Sequence, residues 1–264
     1  MNFQDLIKKL QSAMNAQGER LTVDGDPGPK TKAALSHFAV QIVLTPAKAP
    51  QVPGGKVTTG VDSDEGTEAW YRRMFVACQV DPGKEQQLAN TLKLIEKGMA
   101  QYREVAKRLG AKNPEQFAYI LGAVHFKEAS CDFRGVLHNG EKIVGTGKKT
   151  TIVPIGRGPF ATWSDAAVDA IGIESKRWGN LVNGSTDVGD ILYALERYNG
   201  TGYISGAGKA ETSPYLWACS NINDDRGKYV SDGKFDPNAS TQSTCGAALI
   251  LKTFFNQGKL VLSV

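Results

Sequence analysis

A chain of 264 residues, 41% hydrophobic and 22% charged, has the length of one or two domains and the composition of an ordinary globular protein. Its formal net charge of +4 admits anionic polymers as partners and otherwise favours solubility; it does not by itself point to nucleic acid. No stretch approaches the ~18 uninterrupted apolar residues of a membrane span. Asp5, Lys8 and Lys9 break any apolar run of a secretory signal, so neither stable membrane insertion nor self-directed export is expected.

Residues 3–17 place Phe3, Leu6, Ile7, Leu10, Ala13 and Met14 at steps of three and four, predicting an amphipathic helix that Gly18 ends. The following segment, Leu21 to Thr31, is dense in glycine and proline and predicts a tight loop. Pro29 suits the start of a second helix carrying Ala33, Ala34, Leu35 and Phe38. Residues 45–67 hold Pro46, Pro50 and Pro53, several glycines and almost no large apolar groups, the composition of a linker. Helical spacing then returns over 68–79, 84–109 and 114–129. Residues 133–160 are rich in glycine with short β-branched runs, predicting a loop or small β-hairpin region. Helices are expected again at 164–172, 187–197 and 244–257, with a polar stretch from Tyr198 to about residue 240. The expected organisation is a small helical module at 1–44, a linker at 45–67 and a larger domain at 68–264, mainly α with a small β element.

The cysteines, Cys78, Cys131, Cys219 and Cys245, are far apart and form no CxxC pair, so no zinc site is expected from spacing. A reducing site of synthesis argues for free thiols.

Chemistry concentrates near the end of the 114–129 helix. Glu128 lies among Val124, Phe126, Phe133 and Leu137, which should strip water from its carboxyl. Desolvation raises an acid's pKa and lets it keep a proton near neutral pH, the property a general acid needs for glycosidic cleavage. The negative end of the helix dipole disfavours a negative charge there, which either counts against the residue or helps keep it protonated. Two carboxylates near it in sequence, Glu141 and Asp132, are candidates for a second catalytic group. Retaining glycosidases place the pair about 5–5.5 Å apart and inverting ones about 6.5–9.5 Å. Glu141 follows the Asn139-Gly140 turn signal and could project from a loop; His138 fits either a substrate contact or a turn.

Glu128-Ala129-Ser130-Cys131-Asp132-Phe133 resembles the Glu-Ser-x-x-Asp-Phe signature of lysozyme-like enzymes, bacterial lytic transglycosylases and many phage endolysins among them, with Ala129 where Ser is common. Tyr198-Asn199-Gly200 resembles the Tyr-Asn-x-Gly motif of the same superfamily. The blocks Leu137 to Glu141, Ser213 to Trp217 and Gly227 to Gly233 extend the resemblance over about residues 115–250. Near the N-terminus, Asp24, Gly25, Gly28 and Thr31 match the Asp-Gly-x-x-Gly-x-x-Thr core of the peptidoglycan-binding type 1 module.

These resemblances imply a modular endolysin with an α+β lysozyme-like domain and a wall-binding module. Glu128 would be the acid, Glu141 a second carboxylate, and Tyr198, Asn199, His138, Asn139, Tyr215 and Trp217 substrate contacts. For Trp217, core packing and a place in the groove both stay open. The implied substrate is the β-1,4 bond between N-acetylmuramic acid and N-acetylglucosamine in peptidoglycan. No cofactor, metal, nucleic acid or partner subunit is implied. The protein would be a monomer made in the host cytoplasm and released to the periplasm or wall through a holin-type pore. Two chemical routes fit: hydrolysis, and transglycosylation to a 1,6-anhydro product assisted by the substrate's own N-acetyl group. A non-catalytic wall-binding protein is a further alternative. So is a wall amidase or peptidase, which would want a zinc site or a Cys–His pair.

Overall fold

The computed structural model describes residues 3–15, 22–25, 31, 66–205, 212–231 and 234–264. The chain divides into two compact units, Met1–Gly60 and Val61–Val264. The expected second helix of the module beyond Thr31, together with Gly28, His37 and residues 45–65 of the expected linker, lies outside the described residues.

In the first unit, α1 (Phe3–Asn15) buries Ile7 and Gln11. The Gln11 amide organises the loop that follows. Its Nε2 donates to Asp24 Oδ1 at 2.9 Å and to Thr31 Oγ1 at 3.1 Å, and its Oε1 accepts from the Gly25 N–H at 3.0 Å. Gly25 has φ 83°, and a Cβ there would lie 3.0 Å from the Gln4 carbonyl oxygen, so a side chain is excluded by conformation and by space. Three motif residues thus share one buried partner.

The second unit is mainly α. It opens with α2 (Glu68–Ala77), capped by Thr67. The helix expected over 84–109 is two helices, α3 (Glu85–Lys97) and α4 (Met99–Arg108). The break falls at Gly98, where a Cβ would lie 2.7 Å from the Tyr102 ring and 2.8 Å from that of Phe133; the two rings fill the space a side chain would need. Next comes α5 (Pro114–Ala129), with Pro114 in its first turn and Asn113 accepting from Gln116 N. Every residue from Gln116 to Phe126 is buried. A helix covered on all sides is a core helix, and α5 packs on α3, on α4 and on the last helix, α11 (Ala247–Asn256). Gly122 permits the closest approach: a Cβ there would lie 2.5 Å from Ile95 of α3.

Around this centre stand α6 (Trp163–Ile173), started by a Thr162–Asp165 capping box, α7 (Ser175–Val182) and α8 (Val188–Asn199). Short helices α9 (Gly202–Ser205) and α10 (Pro214–Trp217) precede the hairpin β1 (Lys228–Ser231) and β2 (Lys234–Asp236). The β element therefore lies in the stretch expected to be polar, while residues 133–160, expected as a loop or small β-hairpin, form the loop, with only an isolated bridge between Gly135 and Lys142. Side-chain anchors rather than a strand ladder hold that loop, whereas Tyr229 of β1 packs edge-on against Tyr203 and Phe235. Among the described residues no helix is long and apolar enough to cross a membrane.

Candidate active site

Glu128 is the penultimate residue of α5. The helix stops directly after it: Ser130 and Cys131 both take left-handed backbone, φ 52° and 59°, while their N–H groups still donate to Phe126 O at 2.9 Å and His125 O at 3.3 Å. Neither residue is glycine, so the abrupt end costs about 1–2 kcal/mol per residue. It lets the 135–140 loop fold over the helix end. A Cβ on Gly135 would lie 2.8 Å from that of Ala129, and one on Gly140 would lie 3.0 Å from the Glu128 carbonyl oxygen.

Burial pushes the Glu128 carboxyl up to about 7, against the opposing pull of a hydrogen bond from Tyr215 and the charge of Lys127. Tyr215 Oη donates to Glu128 Oε1 at 3.0 Å; Oε2 has no partner among the described residues. Lys127 is itself pulled down to about 8 by burial. Its ammonium donates to Thr244 Oγ1 at 3.0 Å and to Cys245 O at 3.4 Å, and lies 5.6 Å from the centre of the Tyr215 ring.

Two open clefts adjoin this acid. One, about 250 Å³, is lined by Glu128 together with Leu137, His138, Pro154, Ile173, Glu174, Tyr198 and Asn199. The other, about 270 Å³, is lined by Lys127, Asn199, Tyr203, Tyr215, Lys228 and Tyr229 among others. Asn199, exposed at the end of α8, belongs to both, and Glu128 and its Tyr215 partner stand one in each. Among the described residues the Asn199 side-chain amide has no hydrogen bond. Tyr198 fixes its ring by donating to Leu137 O at 2.7 Å and by an edge contact with Trp178. His138 Nε2 lies 2.9 Å from Asp169 Oδ2, while its Nδ1 is buried without a partner; burial holds the imidazole below its ordinary pKa, favouring the neutral ring.

So Glu128, His138, Tyr198, Asn199 and Tyr215 come together. Glu141, Asn139 and Trp217 line neither cleft. The Glu141 carboxylate accepts from Thr151 N at 3.0 Å, Thr151 Oγ1 at 2.6 Å, Ile152 N at 3.1 Å and Asn139 Nδ2 at 2.8 Å. These donors hold its pKa below the usual range, the Thr151 hydroxyl foremost. Asp132 is likewise engaged, by Arg134 at 2.8 Å and Lys142 at 3.1 Å. Trp217 is fully buried in the core beside α11. In the first unit, Asp24, Gly25 and Thr31 converge on Gln11 as described above.

Three charged cleft residues escaped the sequence reading. Glu174, between α6 and α7, is besides Glu128 the only carboxylate among the described residues that lines either cleft; Arg177 donates to its Oε2 at 2.6 Å and its Oε1 has no partner among the described residues. Lys127 adjoins Glu128 in sequence, yet nothing in the pattern marked it. Lys228 lies on the hairpin that the sequence did not reveal.

Among the described residues no group of three or more His, Cys, Asp or Glu side chains is arranged to hold a metal ion. Comparison with protein-family models, curated proteins and solved structures finds no match to this chain.

Proposed function

We propose that the second unit is a lysozyme-like, peptidoglycan-cleaving domain in which Glu128 protonates the bridge oxygen between N-acetylmuramic acid and N-acetylglucosamine. The observation that carries this reading is a carboxyl pushed up to about 7, with one oxygen held by Tyr215 and the other without a partner among the described residues, beside two clefts that share Asn199. An acid with that pKa is half-protonated at neutral pH and can act as proton donor. Two clefts that share Asn199, one lined by Glu128 and the other by its partner Tyr215, suit a polymer cut in its middle. The free Asn199 amide suits an N-acetyl group or a hydroxyl. Lys127 and Lys228 make the second cleft basic, which fits a glycan whose peptide stems carry carboxylates better than a neutral one.

The first unit is proposed as a wall-binding module that raises the local concentration of the catalytic unit on an insoluble substrate. Together the units fit a phage-type endolysin delivered to the wall through a holin-type pore.

With Glu141 and Asp132 engaged elsewhere, one essential acid aided by the substrate's N-acetyl group is a second route, and it gives 1,6-anhydro ends. In the hydrolytic route the proposed activator of water is Glu174, a carboxylate that lines the same cleft as Glu128. Mass analysis of released muropeptides separates the two. Glu128→Gln abolishes all cleavage; Glu174→Gln removes products with reducing ends if water is the acceptor and leaves anhydro products untouched if it is not. A Glu128→Gln chain that still clears walls at the parent rate overturns the proposal.

A further inference from the structure

Residues 150–157, Thr-Thr-Ile-Val-Pro-Ile-Gly-Arg, form a closed loop. Thr150 N donates to Arg157 O, Gly156 N to Thr150 O and Arg157 N to Thr150 Oγ1, each at 2.9 Å. Its tip exposes Ile152, Val153 and Ile155 at 58, 75 and 71% of their surfaces. Pro154, in the same tip, lines the Glu128 cleft, and the 46%-exposed Ile173 lines the same cleft. Apolar side chains held in water are unfavourable, and a loop with free choice would turn some of them inward.

This loop is instead tied down from outside. Glu141 takes the N–H groups of Thr151 and Ile152 and the Thr151 hydroxyl. Asn139 Nδ2 donates to Ile152 O at 2.9 Å and to Glu141 Oε2 at 2.8 Å. Arg157 Nε donates to Asp169 Oδ2 at 2.9 Å, the same carboxylate oxygen that holds the cleft residue His138. The Leu-His-Asn-Gly-Glu segment, 137–141, therefore supplies cleft-lining residues with its first half and clamps the apolar tip with its second.

We infer that the 152–155 tip is the apolar wall of the Glu128 cleft, covered by the sugar rings of the bound glycan, and that Glu141 and Asn139 are positioning residues for it. The inference rests on the proposed function and deepens it by naming what the wall receives. A pyranose offers a face of C–H groups and the N-acetyl group offers a methyl, and both gain from an apolar partner already fixed in place. Continuity with the Glu128 cleft through Pro154 selects this occupant. The exposed Lys148 and Lys149 beside the loop make an anionic lipid surface the competing one.

The test uses the full chain carrying Glu128→Gln, titrated with a peptide-free N-acetylglucosamine–N-acetylmuramic acid hexasaccharide. The loop variant I152S/V153S/I155S replaces exposed side chains, so the fold is spared. It is expected to weaken binding about tenfold, as is Glu141→Ala, and the combination is expected to be no weaker than either alone, since both remove the same wall. In the active chain both raise KM by about the same factor with kcat within about twofold. Unchanged saccharide affinity, or losses that multiply, overturn the inference. So does a loop variant that loses binding to phosphatidylglycerol vesicles while keeping its saccharide affinity. If the Glu128→Gln parent still cuts the glycan, or does not bind the hexasaccharide at all, the proposed function falls and this inference with it; if the parent is inactive and binds, but the loop changes do nothing, only this inference falls.

Discussion

Tyr215→Phe isolates the hydrogen bond that Tyr215 gives the proposed acid. The phenol donates to Glu128 Oε1 at 3.0 Å, in a setting where burial is the main influence on the carboxyl. Phenylalanine keeps the ring and its contact with Lys127 and deletes only the donor. A hydrogen bond to a charged group is worth about 1.5–3 kcal/mol, and one pKa unit corresponds to about 1.4 kcal/mol. The protonated carboxyl keeps part of that interaction, so the difference between the two protonation states is about one unit. The bond favours the carboxylate; removing it therefore raises the pKa, from about 7 to about 8. A general acid works only while protonated, so activity falls as pH rises through its pKa. The alkaline limb of kcat/KM, followed by dye release from labelled peptidoglycan between about pH 5 and 9, should move up by about one unit in the variant. Peak activity should drop as well if the bond also orients Oε2. A limb that stays in place, or moves toward acid, refutes Glu128 as the titrating donor.

Three further outcomes follow from other residues. Burial pushes the Glu196 carboxyl, 1% exposed, up to about 8 against the pull of Ser213 and Arg197. The folded chain thus keeps a proton that the unfolded chain loses near pH 4.3, and stability drains away as pH rises from there through about 8. Glu196→Gln should flatten that slope and raise unfolding stability by on the order of 3 kcal/mol at alkaline pH relative to the parent; denaturant melts that show the same gap at acid and alkaline pH would contradict it. Lys228→Gln should raise KM a few-fold for peptide-bearing glycan and leave peptide-stripped glycan unaffected, with the difference fading in high salt; equal effects on both substrates would remove the lysine from substrate recognition. Gln11→Ala removes the acceptor that the buried Gly25 N–H uses, at a cost of about 1–3 kcal/mol. Hydrogen exchange at the Gly25 amide in the full chain should then speed up at least about tenfold, and unaltered protection would mean that the loop closes without Gln11.

What the sequence disclosed, and what it hid, divides along the reach of each interaction. The start of α5 was legible because apolar spacing is a local signal that begins at residue 114; the Asn113 cap and Pro114 that fix this start emerge with the fold. Glu128 was legible through its motif and through the apolar residues next to it. The split at Gly98 was hidden, because the rings of Tyr102 and Phe133 that occupy the missing side chain's space come from other turns of the chain. Glu174 and Lys228 were hidden for the same reason, reaching the clefts only once α6, α7 and the hairpin are placed. Tyr215 and Trp217 show how little a motif says about direction. They lie two residues apart in α10, yet one reaches Glu128 and the other is sealed in the core.

The glycines of the 135–140 segment make the deeper point. In sequence, Gly135 and Gly140 mark turns. In the folded chain each is a place where backbone meets the end of α5 too closely for a side chain, Gly135 over Ala129 and Gly140 over the Glu128 carbonyl. The strained stop at Ser130 and Cys131 serves the same contact, since another turn of helix would occupy the space the loop takes. Closing the loop over the helix end also places Leu137 and His138 on the cleft beside Glu128. The raised pKa of the proposed acid is therefore a property of this packing as much as of the residue: a glutamate at an open helix end would be hydrated and ionised at neutral pH. A chain that must keep one carboxyl protonated has reason to accept left-handed backbone at two non-glycine positions, because that conformation is what brings the water-excluding loop down.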